Sequence, residues 1–299
     1  MIDLHTHTTA SDGTFTPEQL IRHAHDVGIS VISVTDHDTT DGVAIARAEA
    51  EKVGIFFIPG IEISAEYSSQ GTMHILGYFV DENNDRMVDA LGFLKESRRL
   101  RNPKMIKLLN DAGISITMED VENEAGGGQV GRPHFAKALI KKGFASSINE
   151  AFDKYIKKGG PCYVNKERLS PKKSIDLILS AGGIPVIAHP KTLGVPIGDD
   201  LKNLIAELVD YGLMGIECYY FSHTKGEIEH YTKLAEELGL LVTGGTDFHG
   251  ENKPNIRLGV GKGNLKIPDE LAERLTAAHE KMVAGGKLEG RGQETGKNQ

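Results

Sequence analysis

Short apolar runs rich in β-branched residues recur at 2–5, 30–35, 55–61, 73–80, 184–188, 214–218 and 240–244, and predict seven strands. Between them the apolar positions fall at helical spacing. A helix over 17–27 follows Thr16 as N-cap with Pro17 in its first turn, and one over 42–53 is rich in Ala and Glu and stops at Gly54. Ser170-Pro171 opens another that ends at Gly182-Gly183, and further helices are expected near 199–211 and 223–238. Strand and helix in alternation imply a parallel sheet, and seven repeats predict an α/β fold closed, or nearly closed, into a barrel.

Residues 85–169 break this rhythm. They carry helical patterns at 85–110, 133–142 and 147–158 without convincing strands, which predicts a helical cap inserted after the fourth strand. The expected barrel is therefore discontinuous, over 1–84 and 170–285. Gly126-Gly127-Gly128 is expected to mark a mobile loop, and 286–299 a flexible tail.

Charge sharpens the division. The 299-residue chain has a net charge of −8, which argues against affinity of the whole protein for nucleic acid. Residues 95–173, however, hold 17 Lys and Arg against 9 Asp and Glu, a net of +8, leaving −16 for the rest. A basic helical cap on an acidic barrel suits an anionic ligand. Two cysteines, Cys162 and Cys218, supply neither a disulfide framework nor a four-thiolate zinc site. With no apolar run of membrane-spanning length and no basic-then-apolar leader pattern, a cytoplasmic protein free of membrane contact is expected. No obligate protein partner is evident.

The twelve histidines carry the chemistry. In His5-Thr6-His7, alternation along an extended strand turns both imidazoles to one side. Strand two ends in Thr35-Asp36-His37-Asp38, strand three in Gly60-Ile61-Glu62, strand five in Ala188-His189-Pro190, strand six in Glu217, and strand seven in Thr246-Asp247-Phe248-His249. Asp12 lies in the loop after the first pair. Carboxyl ends of barrel strands meet on one face, so these separated residues are expected to converge. His74 fits this scheme least, because it stands at the start of its strand. A set of His, Asp and Glu without thiolates suits divalent Zn, Mn or Fe. Glu217 is a ligand, an acceptor behind one, or simply a satisfied strand-end carboxylate, and Asp36 is expected to orient an imidazole. His23 and His25 are expected to be structural or exposed residues on a helix, and His223, His230 and His279 to be surface helix residues. Gly259-Val260-Gly261-Lys262-Gly263 lacks the strand and helix context of a phosphate loop.

Together the motifs HTH, SDG, TDHD, GIEIS, HILGY, IAHP and TDFH resemble the polymerase and histidinol phosphatase (PHP) family over roughly 1–82 and 170–260. The resemblance implies a distorted seven-stranded β/α barrel holding two to three divalent ions and hydrolysing phosphate esters. By matching position, one metal would take His5, His7, Glu62 and Asp247, a second Glu62, His74 and His189, and a third Asp12, His37 and His249. It further implies in-line attack by a metal-bridging hydroxide, with Asp247, His249, Glu62 and His134 as catalytic residues.

Gly131-Arg132-Pro133-His134 in the basic insertion looks like the branch acting on nucleotides: 3′,5′-bisphosphates, monophosphates or short oligonucleotides. Arg132 and His134 would contact phosphate, Arg132 as a planar bidentate donor. Alternatively, Arg-Pro-His merely starts a helix. Competing functions are a histidinol-phosphate phosphatase, an amidohydrolase-type metal hydrolase, and a non-enzymatic nucleotide or metal sensor.

Overall fold

The computed structural model describes residues 1–67 and 71–291, with side chains through residue 285. Every expected strand is present: β1 (Ile2–Thr6), β2 (Val31–Val34), β3 (Phe56–Ala65), β4 (Met73–Tyr78), β5 (Ile184–Ile187), β6 (Gly215–Tyr220) and β7 (Leu241–Gly245). They form one sheet in chain order. A parallel bridge from Thr6 to Phe248 brings its two edges together, so the sheet is a nearly closed barrel.

Outside the sheet lie α1 (Pro17–Asp26), α2 (Val43–Val53), α7 (Pro171–Ser180), α8 (Asp199–Asp210) and α9 (Lys225–Glu237). Their starts follow from local chemistry. Thr16 and Gln19 form a reciprocal capping box with Pro17 in the first turn, and Ser170 accepts from the Lys173 N–H ahead of Pro171. Apolar strand residues pack both ways, as in parallel sheets covered on both faces. Ile2, Leu4, Ile58, Leu76, Ile184 and Val186 share one core cluster, while Ile61, Ile63, Ile75 and Ile216 pack with Ile178 and Ile205 of the helices.

The sheet departs from the expected parallel order at β4, which runs antiparallel to both β3 and β5. The connection over 66–72 is the reason, being too short for the dozen or so residues that a parallel crossover needs. A hairpin results, with Ser64 opposite His74. The amino end of β4 therefore lies at the carboxyl mouth of the barrel, which places His74 among the other strand-end residues.

Between β4 and β5 run α3 (Asp85–Asp111), α4 (Met118–Ala125), α5 (Arg132–Lys141) and α6 (Ile148–Ala151), the last continuing as a π-helical turn over Phe152–Ile156. Helix α4 was not among the expected elements. These helices share their own core, built on Met105, Leu109, Val121, Phe135 and Leu139. The final helix, α10 (Glu270–Arg291), adds Leu271 and Leu275 to the barrel cluster. Its helical backbone extends through 291, into the segment expected to be a flexible tail, and residues 292–299 lie outside the described residues. Among the described residues no helix is long and apolar enough to cross a membrane.

Candidate metal centre

All nine residues expected to bind metal meet at the barrel mouth. Glu62, fully buried on β3, is their hub. Its Oε1 lies 2.9 Å from His74 Nδ1 and 2.9 Å from His189 Nε2. Its Oε2 lies 2.8 Å from His37 Nδ1 and 3.4 Å from Nε2 of both His5 and His7. Asp247 Oδ1 stands 3.2 Å from His7 Nε2 and 3.2 Å from His249 Nδ1. Asp12 Oδ1 stands 3.2 Å from His249 Nε2 and 4.0 Å from His37 Nε2.

Four groups of these residues offer ligand atoms within 4.8 Å of one another: His7, Asp12, His37 and His249; His5, His7 and Asp247; His5, Glu62 and His189; His37, Glu62 and His74. The first holds the expected Asp12, His37 and His249 with His7 added, and the second holds His5, His7 and Asp247 of an expected set that also included Glu62. The expected pairing of His74 and His189 is divided, His189 grouping with His5 and His74 with His37.

The donor set fits divalent cations, being imidazole and carboxylate without thiolate. One contact supports this directly. Glu62 Oε2 and His37 Nδ1 approach to 2.8 Å, yet both are buried without a hydrogen-bond partner. A close approach of two buried polar atoms that do not hydrogen-bond is what two ligands to a common ion would show. Electrostatics divide the set: burial is outweighed by Glu217 and Glu62 at His5, which is raised well above its ordinary value, and by Glu62 and Asp12 at His37, which is raised to about 9. Burial opposes ionisation of Glu62 but is outweighed by His37, His74 and His5, which hold its carboxyl well below the usual range. Burial, with His249 and His37, depresses His7 well below its ordinary value and favours the neutral ring that a metal ligand needs.

Outer groups fix the inner ones. Glu217 accepts from His5 Nδ1 at 2.9 Å and from the His189 backbone N–H at 2.8 Å, so it acts behind the ligands and leaves His5 Nε2 facing inward. The expected role of Asp36 is corrected. It accepts from the Thr8 backbone and hydroxyl and from Ser11 Oγ, bracing the loop that carries Asp12 rather than an imidazole. Tyr220 and Lys253, which sequence reasoning missed, approach Asp247 Oδ2 at 2.8 and 2.5 Å and leave Oδ1 to the histidines. Asp38, His189 and Asp247 adopt φ of +52°, +27° and +53°, a concentration of rare backbone geometry at the mouth.

A cavity of about 690 Å³ extends from Asp12, His37 and His74 to a cationic wall of Arg98, Arg101, Arg132, Lys166 and Arg168. Arg132 lies 5.4 Å from the rings of both Phe152 and Tyr163. Its neighbour His134 is placed differently from expectation: buried, it accepts the Gly131 N–H on Nδ1 at 3.0 Å and caps α5. The cavity wall there is Gly131, Arg132 and Pro133. His223, expected on the surface, is buried against Tyr220 and Tyr231 and donates from Nδ1 to the Cys218 carbonyl at 2.8 Å.

Comparison with known proteins agrees with this geometry. The PHP domain family matches residues 3–158. The 5′-3′ exoribonuclease Rnm of Escherichia coli (strain K12) is 35% identical over 259 residues, covering 86% of this chain and 87% of that protein. The 3′,5′-nucleoside bisphosphate phosphatase of Chromobacterium violaceum is 33% identical over 83% of this chain and 87% of its own. A crystal structure from Bifidobacterium adolescentis, assigned as a metal-dependent phosphoesterase, superposes with a TM-score of 0.81 at 29% identity, covering 92% of this chain and 95% of that one. With the nine-residue cluster at the mouth of its seven-stranded barrel, the chain belongs to the PHP domain family.

Proposed function

We propose that the protein hydrolyses phosphate esters of nucleotides, its substrates being 3′,5′-bisphosphates, monophosphates and short 5′-phosphorylated oligonucleotides, with two to three Mn, Zn or Fe ions. The supporting observation is one cavity shared by the histidine–carboxylate cluster and guanidinium groups without counter-ions. Arg101, Arg132 and Arg168 line it, and none has a carboxylate partner among the described residues. Arg101 is 5% exposed, and burial, followed by Arg98 and Arg132, brings it down to about 9. Buried cations left without counter-charge are costly, and a phosphorylated ligand supplies that charge.

In this reading residues 1–84 and 170–285 form the metal-binding barrel and 85–169 the cap, in a cytoplasmic protein. His5, His7, Asp12, His37, Glu62, His74, His189, Asp247 and His249 hold the ions. When bound, divalent ions supply Lewis acidity toward phosphoryl oxygens and activate water as the nucleophile. The chain's own residues do the rest. Glu217 keeps the His5 proton on Nδ1, and Tyr220 and Lys253 hold Asp247 in a one-oxygen presentation. Arg98 and Lys166 face the reacting end, and Arg132, stiffened between two rings, binds phosphate farther along the wall.

A phosphate-release screen of the manganese-loaded protein tests this reading. AMP, 3′,5′-bisphosphoadenosine, a 5′-phosphorylated trinucleotide and histidinol phosphate are compared. Turnover of the nucleotides is expected to dominate, and preference for histidinol phosphate would overturn the assignment.

A further inference from the structure

Asp3 lies on β1, two residues before His5, and is fully buried. Both of its oxygens are used twice. Oδ1 accepts the backbone N–H of His5 at 3.3 Å and of Thr246 at 2.9 Å. Oδ2 accepts the Thr246 hydroxyl at 2.5 Å and the backbone N–H of Gly259 at 2.9 Å. No cation pairs with it among the described residues. A buried carboxylate held only by neutral donors is an expensive way to gain stability, which points to a positional role.

Its location supplies that role. β1 and β7 are the two ends of the sheet order, and they meet through the Thr6–Phe248 bridge, where the His7 N–H donates to the Phe248 carbonyl at 2.9 Å. A Cβ on Gly245 would stand 2.3 Å from the His5 Cβ, so only glycine lets the strands approach this closely. Each side of the seam ends in two candidate ligands, His5 and His7 on one and Asp247 and His249 on the other. Gly259, at φ +75°, turns its N–H into the same carboxylate.

We propose that Asp3 is a positioning residue that locks the β1–β7 seam and thereby sets the spacing between the His5/His7 and Asp247/His249 pairs, an inference that rests on the metal-centre reading. It touches neither ion nor substrate.

Cobalt(II) titration of the purified protein, followed by its visible absorption bands, tests the proposal, with thermal melting of the metal-free protein alongside. Asp3→Asn keeps the shape but leaves the Gly259 N–H without an acceptor. Its cobalt affinity is expected to fall about 10- to 100-fold, the range for groups that orient metal ligands, with shifted bands. Thr246→Val, which removes one donor, is expected to move both readouts the same way by less. Leu275→Ala, in the barrel core, is expected to lower the melting temperature and leave the bands and affinity unchanged. Wild-type affinity and bands in Asp3→Asn would overturn the proposal. Should that variant not fold, wild-type behaviour of Thr246→Val would do so. Failure of the wild-type protein to bind cobalt would instead overturn the metal-centre reading.

Discussion

The ammonium of Lys166 lies 2.5 Å from the Asp38 carboxylate, a contact between the segment that follows the inserted helices and the end of the second strand. Arg98 of α3 pairs with the same oxygen, and the Ser64 backbone N–H donates to the other at 2.7 Å. Both cations line the cavity, so one carboxylate joins the insertion to the barrel and holds two positive groups at the cavity wall. Burial opposes ionisation of Asp38, but Lys166 and Arg98 outweigh it and hold the carboxyl far below its usual range.

Removing that charge leaves the Arg98 guanidinium and the Lys166 amine buried together without a counter-ion. Asp38→Asn is therefore expected to cost about 3–5 kcal/mol, as loss of one partner from a buried ionic group does. Urea unfolding measures it, and a loss under about 1 kcal/mol would show that the joint contributes little.

Lys166 gives a pH signature. Burial, with Arg98 adding repulsion, brings its ammonium from 10.5 down to about 7. The folded chain thus releases this proton earlier than the unfolded chain, which binds more protons between those values, so Lys166 alone makes stability rise with pH across that window. Substrate binding runs the other way, because the cavity loses a cation above about pH 7. KM for AMP is expected to rise between about pH 6 and 8.5, and Lys166→Arg, which stays charged, to flatten the rise. An unchanged profile in that variant would assign the dependence to another group.

Much of the centre was legible in the chain because local geometry fixes it. Alternation puts His5 and His7 on one side, and strand-end placement gathers His37, Glu62, His189 and Asp247. The same alternation explains the misreading of Asp36, since neighbours along an extended segment point opposite ways and Asp36 turns from His37 toward Thr8 and Ser11. His74 resisted placement because a parallel order was assumed, although the short connection over 66–72 already forbids a crossover there. Asp3, Asp38, Tyr220 and Lys253 act through partners brought close only by folding, and no spacing or period in the chain marks them. His134 and His223 show the converse, histidines whose buried rings serve local hydrogen bonds.

Arg132 separates binding from chemistry. Its guanidinium donates to the Ile156 carbonyl at 3.3 Å and sits between Phe152 and Tyr163, leaving its other donors for a ligand in the cavity. A charge-assisted hydrogen bond is worth about 1.5–3 kcal/mol, so Arg132→Ala is expected to raise KM about 10- to 100-fold with kcat little changed. Steady-state kinetics on 3′,5′-bisphosphoadenosine check this. Unchanged KM would leave Arg132 as the first residue of its helix and nothing more.

Gly128 tests whether the insertion braces the metal centre. The glycine turn, expected to be mobile, presses on the loop after β1: a Cβ on Gly128 would stand 1.7 Å from the Thr9 carbonyl oxygen, and the Gln129 N–H donates to the Ala10 carbonyl at 3.3 Å. That loop runs on to Asp12 and is held from behind by Asp36. Gly128→Ala must therefore displace either the turn or the loop that carries a candidate ligand. The expected result is a loss in kcat/KM of about 10- to 100-fold, the scale of a small misplacement of reacting groups. Faster proteolytic cleavage within 113–131 is expected to accompany it, with the urea midpoint of the barrel little moved. Wild-type kinetics together with wild-type proteolysis would mean that the loop holds Asp12 in place without support from the insertion.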